Sequence, residues 1–160
     1  MYDSLGIASH TILVEKFLYR EVCESRLSWD EKVSNRMRQE WLKLVRSLPN
    51  KFEVFRSLAR FREPLEGVML HAFGDKSGSA ISSAVYAVIT QAEQVLSKGL
   101  IAAKSRLAKK NLAILRLEPV AAHMAANLVD NVRTALAGYS ITLVHGWSDR
   151  EEEEHPASSS

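Results

Sequence analysis

The sequence predicts an α+β or α/β fold, in which a mixed β-sheet follows an α-helical hairpin. Two observations support this prediction. Apolar residues recur at helical spacing in the first third of the chain and again over residues 117–136. Short apolar and partly β-branched segments fill most of the remainder, giving the order β-β-β-α-β. Because hairpins come first and a helix precedes the last strand, the sheet should contain both antiparallel and parallel pairs.

The composition is that of an ordinary globular protein. Of the 160 residues, 46% are hydrophobic and 25% are charged, and the formal net charge is +2. No apolar run approaches the roughly 20 residues that cross a bilayer, and the N-terminus lacks a secretory signal pattern. Cys23 is the only cysteine, which excludes an internal disulfide and fits a reducing compartment. We therefore expect an intracellular protein, cytoplasmic or nuclear, that is not secreted.

Two helices are predicted before the sheet. The first covers residues 10–26, where apolar residues form one stripe and charges fill the other face. The sequence SWDE at 28–31 has the form of a capping box and should introduce the second helix, which LPN at 48–50 ends. Pro64 then breaks the pattern, so residues 1–64 are expected to form a helical connection segment.

Residues 65–150 are expected to form the sheet domain. Its strands are predicted at residues 67–73, 80–89, 98–108 and 140–147, with a hairpin turn between the first two. The long helix is predicted at 117–136, and Gly138 suits its end. The remaining residues, 151–160, are acidic and serine-rich and are expected to be a disordered tail.

Three acids stand where these elements end or turn. Asp75 ends the first strand, Glu118 lies in the first turn of the long helix, and Asp149 ends the last strand. If the last strand pairs beside the first, the two aspartates can meet, and the helix can bring Glu118 to them. A carboxylate cluster of this kind suits Mg²⁺, and two such ions can hold a phosphodiester and activate water.

Each acid also has a purely structural explanation. Asp75 can be a turn residue, Glu118 can interact with the helix dipole near an N-terminus, and Asp149 can cap whatever follows it. The acids lie far apart in the sequence, so no local spacing rule decides between the two interpretations.

Four basic residues cluster just before the long helix, within KSRLAKK: Lys104, Arg106, Lys109 and Lys110. They can contact the phosphates of a nucleic acid, which would make its binding salt-dependent. A charged connection before a helix is also common in proteins that bind no nucleic acid. Both interpretations remain open at this point.

Several motifs in one order resemble Pao/BEL-type retrotransposon polyproteins, in the segment that follows the reverse transcriptase core. The start of that segment is similar to YDSLGIASHTILVEKFLYREVCESRLSWD, and its second helix to EWLKLVRSLP. Its Phe-x-Asp-Ala-Ser strand and turn are similar to LHAFGDKSGSAISSAVY. Its Ala-Ala-Lys-Ser-Arg and Arg-Leu-Glu block is similar to LIAAKSRLAKKNLAILRLEPVAA, and its Trp-Thr-Asp-Ser strand to ITLVHGWSD. The resemblance runs from Tyr2 to about Asp149.

The resemblance implies a ribonuclease H-like domain preceded by a connecting helical segment. In that family the acids of the matching motifs are metal ligands, and they correspond here to Asp75, Glu118 and Asp149. The implied reaction is hydrolysis of the RNA strand of an RNA–DNA hybrid, with two Mg²⁺ or Mn²⁺ ions. The implied partners are the hybrid and the reverse transcriptase core of the parent polyprotein.

Some residues depart from the family pattern. Lys76 replaces a small residue beside Asp75 and puts a cation near the proposed metals. The chain passes into EEEEHPASSS where a further helix, a strand and a fourth acid are usual, so a truncated domain is expected. These departures favour an alternative in which the domain is an inactive relic that binds nucleic acid or another partner. The same region of these elements is also catalogued as an aspartic-type peptidase, but the sequence holds no Asp-Thr/Ser-Gly loop.

Overall fold

The computed structural model describes residues 6, 8–48, 67–91, 94–110 and 113–148. Its elements follow the predicted order: α1 (Ser9–Glu24), α2 (Asn35–Ser47), β1 (Gly67–Lys76), β2 (Ala80–Gln91), β3 (Gln94–Leu107), α3 (Ile114–Ala135) and β4 (Ile141–Ser148). The predicted fold class is therefore confirmed. The predicted boundary near residue 64 and the tail 151–160 lie outside the described residues. Among the helices described, none is long and apolar enough to cross a membrane.

The sheet has the strand order β3-β2-β1-β4. β1 pairs antiparallel with β2, and β2 pairs antiparallel with β3. β4 pairs parallel with β1, from Val68–Ile141 to Gly74–Ser148. A parallel pair needs a crossover connection, and α3 supplies it between β3 and β4. A carboxylate cluster requires that the last strand pairs beside the first. β4 does pair with β1, so this condition is met.

α3 covers one face of the sheet and forms the core with it. Alternate residues of β1 point toward α3, and Val68, Leu70 and Ala72 are buried there. On α3 the predicted apolar stripe is buried at Leu117, Ala121, Met124 and Val132. Near the end of the helix Ala135 is exposed, and Leu136 packs against the core instead.

α1 packs against β3, the strand at one edge of the sheet. Lys16 Nζ donates a hydrogen bond to the carbonyl oxygen of Ser105 at 2.8 Å, and Arg20 donates to that of Ala108 at 2.9 Å. The Ser105 hydroxyl donates to the carbonyl oxygen of Ser9 at 3.1 Å. Uncovered strand edges invite pairing with other chains. These contacts therefore hold α1 against the sheet, and they also shield the edge of β3 from pairing with another chain.

The start of α2 differs from the prediction. The Ser28 N–H does donate to the Glu31 carboxylate, at 3.2 Å, but the two residues enclose a turn. The helix begins at Asn35, and Ser34 caps it by accepting the Met37 N–H at 3.3 Å. The prediction that SWDE introduces the helix was wrong, because the local bonds that cap a helix also close turns.

Aromatic rings line the sheet face opposite α3. His71 stacks on His145 with the ring centroids 5.2 Å apart. Phe73 stacks on Trp147 at 6.4 Å and meets Tyr86 edge-on at 5.8 Å. Since these pairs join neighbouring strands, they add to the stability of the β2-β1-β4 part of the sheet.

Candidate metal and nucleic-acid site

Asp75 is the penultimate residue of β1, next to the hairpin turn. Its side chain is exposed, and Oδ1 accepts the backbone N–H of Lys76 at 2.7 Å. Side chains alternate between the faces of a strand, so Asp75 lies on the face opposite to that of Gly74 and Lys76. The prediction that Asp75 closes the first strand is confirmed to within one residue.

Glu118 lies deeper in α3 than predicted. The helix begins at Ile114, so Glu118 is its fifth residue, and the prediction that it lies in the first turn was wrong. Pro119 in the sequence favours a later helix start, because its missing N–H is harmless early in a helix. In the structure Pro119 is inside the helix, and Ala113 is the N-cap, in an extended conformation. The helix-dipole explanation of Glu118 loses its basis, since that effect fades beyond the first turn.

The side chain of Lys76 contacts Glu118, and its backbone contacts Asp75 on the other face of β1. Its ammonium lies 3.2 Å from Glu118 Oε1, and its backbone N–H donates to Asp75. The Lys76 side chain is only 6% exposed and that of Glu118 is 31% exposed, so the ion pair is partly desolvated. The cation that the sequence places near the proposed metal ligands therefore touches one of them directly.

Asp149, the third acid, lies outside the described residues. It follows Ser148 directly in the sequence, and the partner of Ser148 in the parallel pairing is Gly74, the residue before Asp75. Within the described ranges, no three His, Cys, Asp or Glu side chains form a group able to hold a metal ion. The three-carboxylate cluster stays a prediction, of which the structure describes Asp75 and Glu118.

Two of the predicted phosphate contacts lie together on the α3 face of the sheet. Lys104 and Arg106 are exposed on β3 and line a cleft of about 140 Å³ against α3. Arg106 pairs with Ile81, and Ile81 pairs with Lys76, so one row across the sheet joins them. Two strand spacings separate Arg106 from Lys76, which is about 10 Å between their backbones. These two cations therefore lie on the same face as the Lys76–Glu118 pair.

The other two basic residues are placed differently. The Lys110 ammonium lies 2.5 Å from Glu24 Oε2 of α1, so its charge is matched within the protein. Lys109 follows β3 and is exposed. The structure thus divides the predicted basic cluster, and only Lys104 and Arg106 line the cleft against α3.

Sequence reasoning did not assign three polar residues of α3 to this cleft. His123, Asn127 and Asn131 line it together with Lys104 and Arg106, and Asn127 Nδ2 lies 2.9 Å from His123 Nε2. Their spacing of four residues on a helix was the available signal, because such residues are neighbours on one face. Only the packing of α3 over β3 shows which residues they meet.

The family described as the Pao retrotransposon-like RNaseH-like domain matches residues 1–150. No curated protein and no solved structure matches the chain. The family match covers the helical hairpin as well as the sheet, and it agrees with the motifs quoted above. The chain therefore belongs to the family of Pao retrotransposon-like RNaseH-like domains.

Proposed function

We propose that this domain acts on RNA–DNA hybrids and hydrolyses their RNA strand, with Asp75, Glu118 and Asp149 as ligands of Mg²⁺ or Mn²⁺. The observation that carries the proposal is the parallel pairing of β4 with β1 through Gly74 and Ser148. These are the residues that immediately precede the two aspartates in the sequence. Family membership supports the same class of reaction.

The donor chemistry fits a hard divalent cation, with one competitor already in place. Asp75 and Glu118 offer only carboxylate oxygens, which are the ligands that Mg²⁺ prefers. Glu118, however, is in contact with the ammonium of Lys76. Bound at these carboxylates, divalent ions would supply activation of water and neutralisation of charge at the scissile phosphate.

Lys104 and Arg106 give the domain its nucleic-acid surface in this proposal. Both side chains are exposed, and both lie on the face that carries Glu118. Cations at that position can hold the phosphate backbone and so fix where the strand lies relative to Glu118. Phosphate contacts carry no base information, so binding should be salt-dependent and nearly indifferent to sequence. In the parent polyprotein, the reverse transcriptase core would present the hybrid to this surface.

The Lys76–Glu118 ion pair favours a second candidate function, which is binding of the hybrid without hydrolysis. A carboxylate that is held by an ammonium is a poorer metal ligand than a free one, because the two cations repel each other. The basic surface on β3 does not depend on that carboxylate. A domain with this pair can therefore keep its affinity for the hybrid while its hydrolytic activity is weak or lost.

Incubation with a labelled RNA–DNA hybrid separates these functions. Hydrolysis predicts cleavage that needs Mg²⁺ or Mn²⁺ and that Asp75→Asn abolishes. The matched control is Asp130→Asn, because Asp130 is exposed on α3 and lies twelve residues, about 18 Å, from Glu118. Binding without cleavage by well-folded protein supports the second function. Folded protein that neither binds nor cleaves the hybrid contradicts both.

A further inference from the structure

We infer that Lys76 is a built-in counter-cation, which neutralises Glu118 and competes with divalent metal for that carboxylate. The inference rests on the proposed function for the identity of Glu118 as a metal ligand. It concerns the Lys76 ammonium that the chain itself places at the Glu118 carboxylate before any metal ion binds.

The position of Lys76 is fixed by the fold rather than by a flexible surface contact. Its side chain lies on the α3 face of β1, where Gly74 is also buried, and it is only 6% exposed. Nζ reaches Glu118 Oε1 at 3.2 Å. Because α3 covers its side chain, Lys76 cannot turn into solvent as an exposed lysine can.

Because the Lys76–Glu118 pair is partly desolvated, Lys76 repels a metal ion at Glu118 more strongly than an exposed lysine would. An ammonium taken out of water needs partners, and Glu118 is one of those that Lys76 has, so leaving this carboxylate carries a cost. A divalent ion that binds Glu118 has two alternatives. It lies a few ångströms from the Lys76 ammonium, which repels it, or it displaces Lys76 from its buried position. Both alternatives raise the free energy of the metal-bound state, and the affinity for metal falls.

Mn²⁺ binding to the full chain, measured by isothermal titration calorimetry, tests the inference without any nucleic acid. Lys76→Met removes the charge and keeps most of the apolar stem. It should bind Mn²⁺ at least about tenfold more tightly than the wild type, because like charges this close in a partly buried site repel by more than 1.4 kcal/mol. The gain should disappear in Lys76→Met/Glu118→Gln. The matched control is Lys43→Met, which breaks the exposed Lys43–Glu40 pair of α2 and should bind like the wild type.

Equal affinity in Lys76→Met and the wild type overturns the inference, and so does a gain that survives the loss of Glu118. If Lys76→Met does not fold, Lys76→Ala is used instead, since it leaves no long apolar stem to bury. The wild-type chain offers a further measurement. Amine labelling followed by mass spectrometry should find Lys76 protected in EDTA and more reactive in saturating Mn²⁺, and an unchanged rate counts against displacement.

The two proposals fail separately. Tighter Mn²⁺ binding by Lys76→Met that requires Glu118, in a chain that does not cleave the hybrid, supports the counter-cation and contradicts hydrolysis. Cleavage of the hybrid by the wild type, together with equal Mn²⁺ affinity in Lys76→Met, supports hydrolysis and contradicts the counter-cation.

Discussion

A Cβ atom added to Gly74 would lie 2.9 Å from the carbonyl oxygen of Ala121, so β1 and α3 meet there through backbone atoms. The same atom would lie 3.3 Å from the Cβ of Ala125. Gly74 also directly precedes Asp75, and Ala121 lies one turn beyond Glu118. This close approach therefore fixes the separation of the strand and the helix that carry the two described acids.

Gly74→Ala should destabilise the protein. The methyl group meets backbone that cannot rotate away, so the helix has to shift, and overpacking of this kind costs about 1–3 kcal/mol. Urea denaturation measures the loss. Gly146→Ala on β4 is the matched control, since an added Cβ there has nothing within 4 Å and should not destabilise. Equal stability of the two variants would show that α3 does not lie this close to β1 in solution.

Ser83→Ala should stabilise the protein. Ser83 is 4% exposed, and its hydroxyl has no hydrogen-bond partner among the described residues. An unsatisfied buried polar group costs about 1–3 kcal/mol, so its removal should raise the free energy of unfolding by about 1 kcal/mol. Thermal and urea denaturation measure the change. Ser82→Ala, on the opposite face of β2, should have a smaller effect, and a loss of stability in Ser83→Ala would mean that the hydroxyl is bonded in solution.

Lys16→Met should loosen α1 from the edge of the sheet. It removes the charged donor to the Ser105 carbonyl, and a hydrogen bond from a charged group contributes about 1.5–3 kcal/mol. Amide hydrogen exchange should become faster in β3 and stay unchanged in β4. The control is Lys32→Met, because Lys32 is exposed in the loop between α1 and α2. Unchanged exchange in β3 would contradict the role of this contact in docking.

Lys104→Ala/Arg106→Ala should weaken binding of an RNA–DNA hybrid and reduce its salt dependence. If both residues contact phosphates, the slope of log affinity against log salt should become shallower by about 2. Lys110→Ala should change the slope less, since Glu24 already matches the charge of Lys110. Fluorescence anisotropy at several salt concentrations provides the slopes. A larger effect of Lys110 than of the double variant would place the hybrid on the α1 side instead.

The order of the elements could be predicted because each of them is encoded locally. Helical spacing of apolar residues marked α1 and α3, and the small polar residues after Asp75 marked the β1–β2 turn. The order of hairpins followed by a helix and a further strand then predicted a mixed sheet. The pairing of the last strand with the first entered only as a condition for the carboxylate cluster. Local signals were weaker at the helix starts. α3 begins at Ile114 with no side-chain cap, so its start carried no capping signal.

The contact between Lys76 and Glu118 could not be predicted from the sequence. The sequence puts Lys76 beside Asp75, but its side chain turns to the other face of the strand, where α3 crosses. Which helical residue it meets depends on how closely α3 approaches β1, and that distance is set by Gly74. A contact that depends on packing between distant segments leaves no periodic pattern in either of them.

The pairing of β1 also sets an order of assembly. β1 and β2 join through Lys76 and Ile81, five residues apart, whereas β1 and β4 join Val68 to Ile141, 73 residues apart. Short loops close at lower entropic cost and faster than long ones. The β1–β2–β3 meander can therefore form before β4 pairs, and one edge of β1 stays open until it does. The pairing that brings Ser148 beside Gly74, on which the proposed carboxylate cluster depends, then forms after the meander.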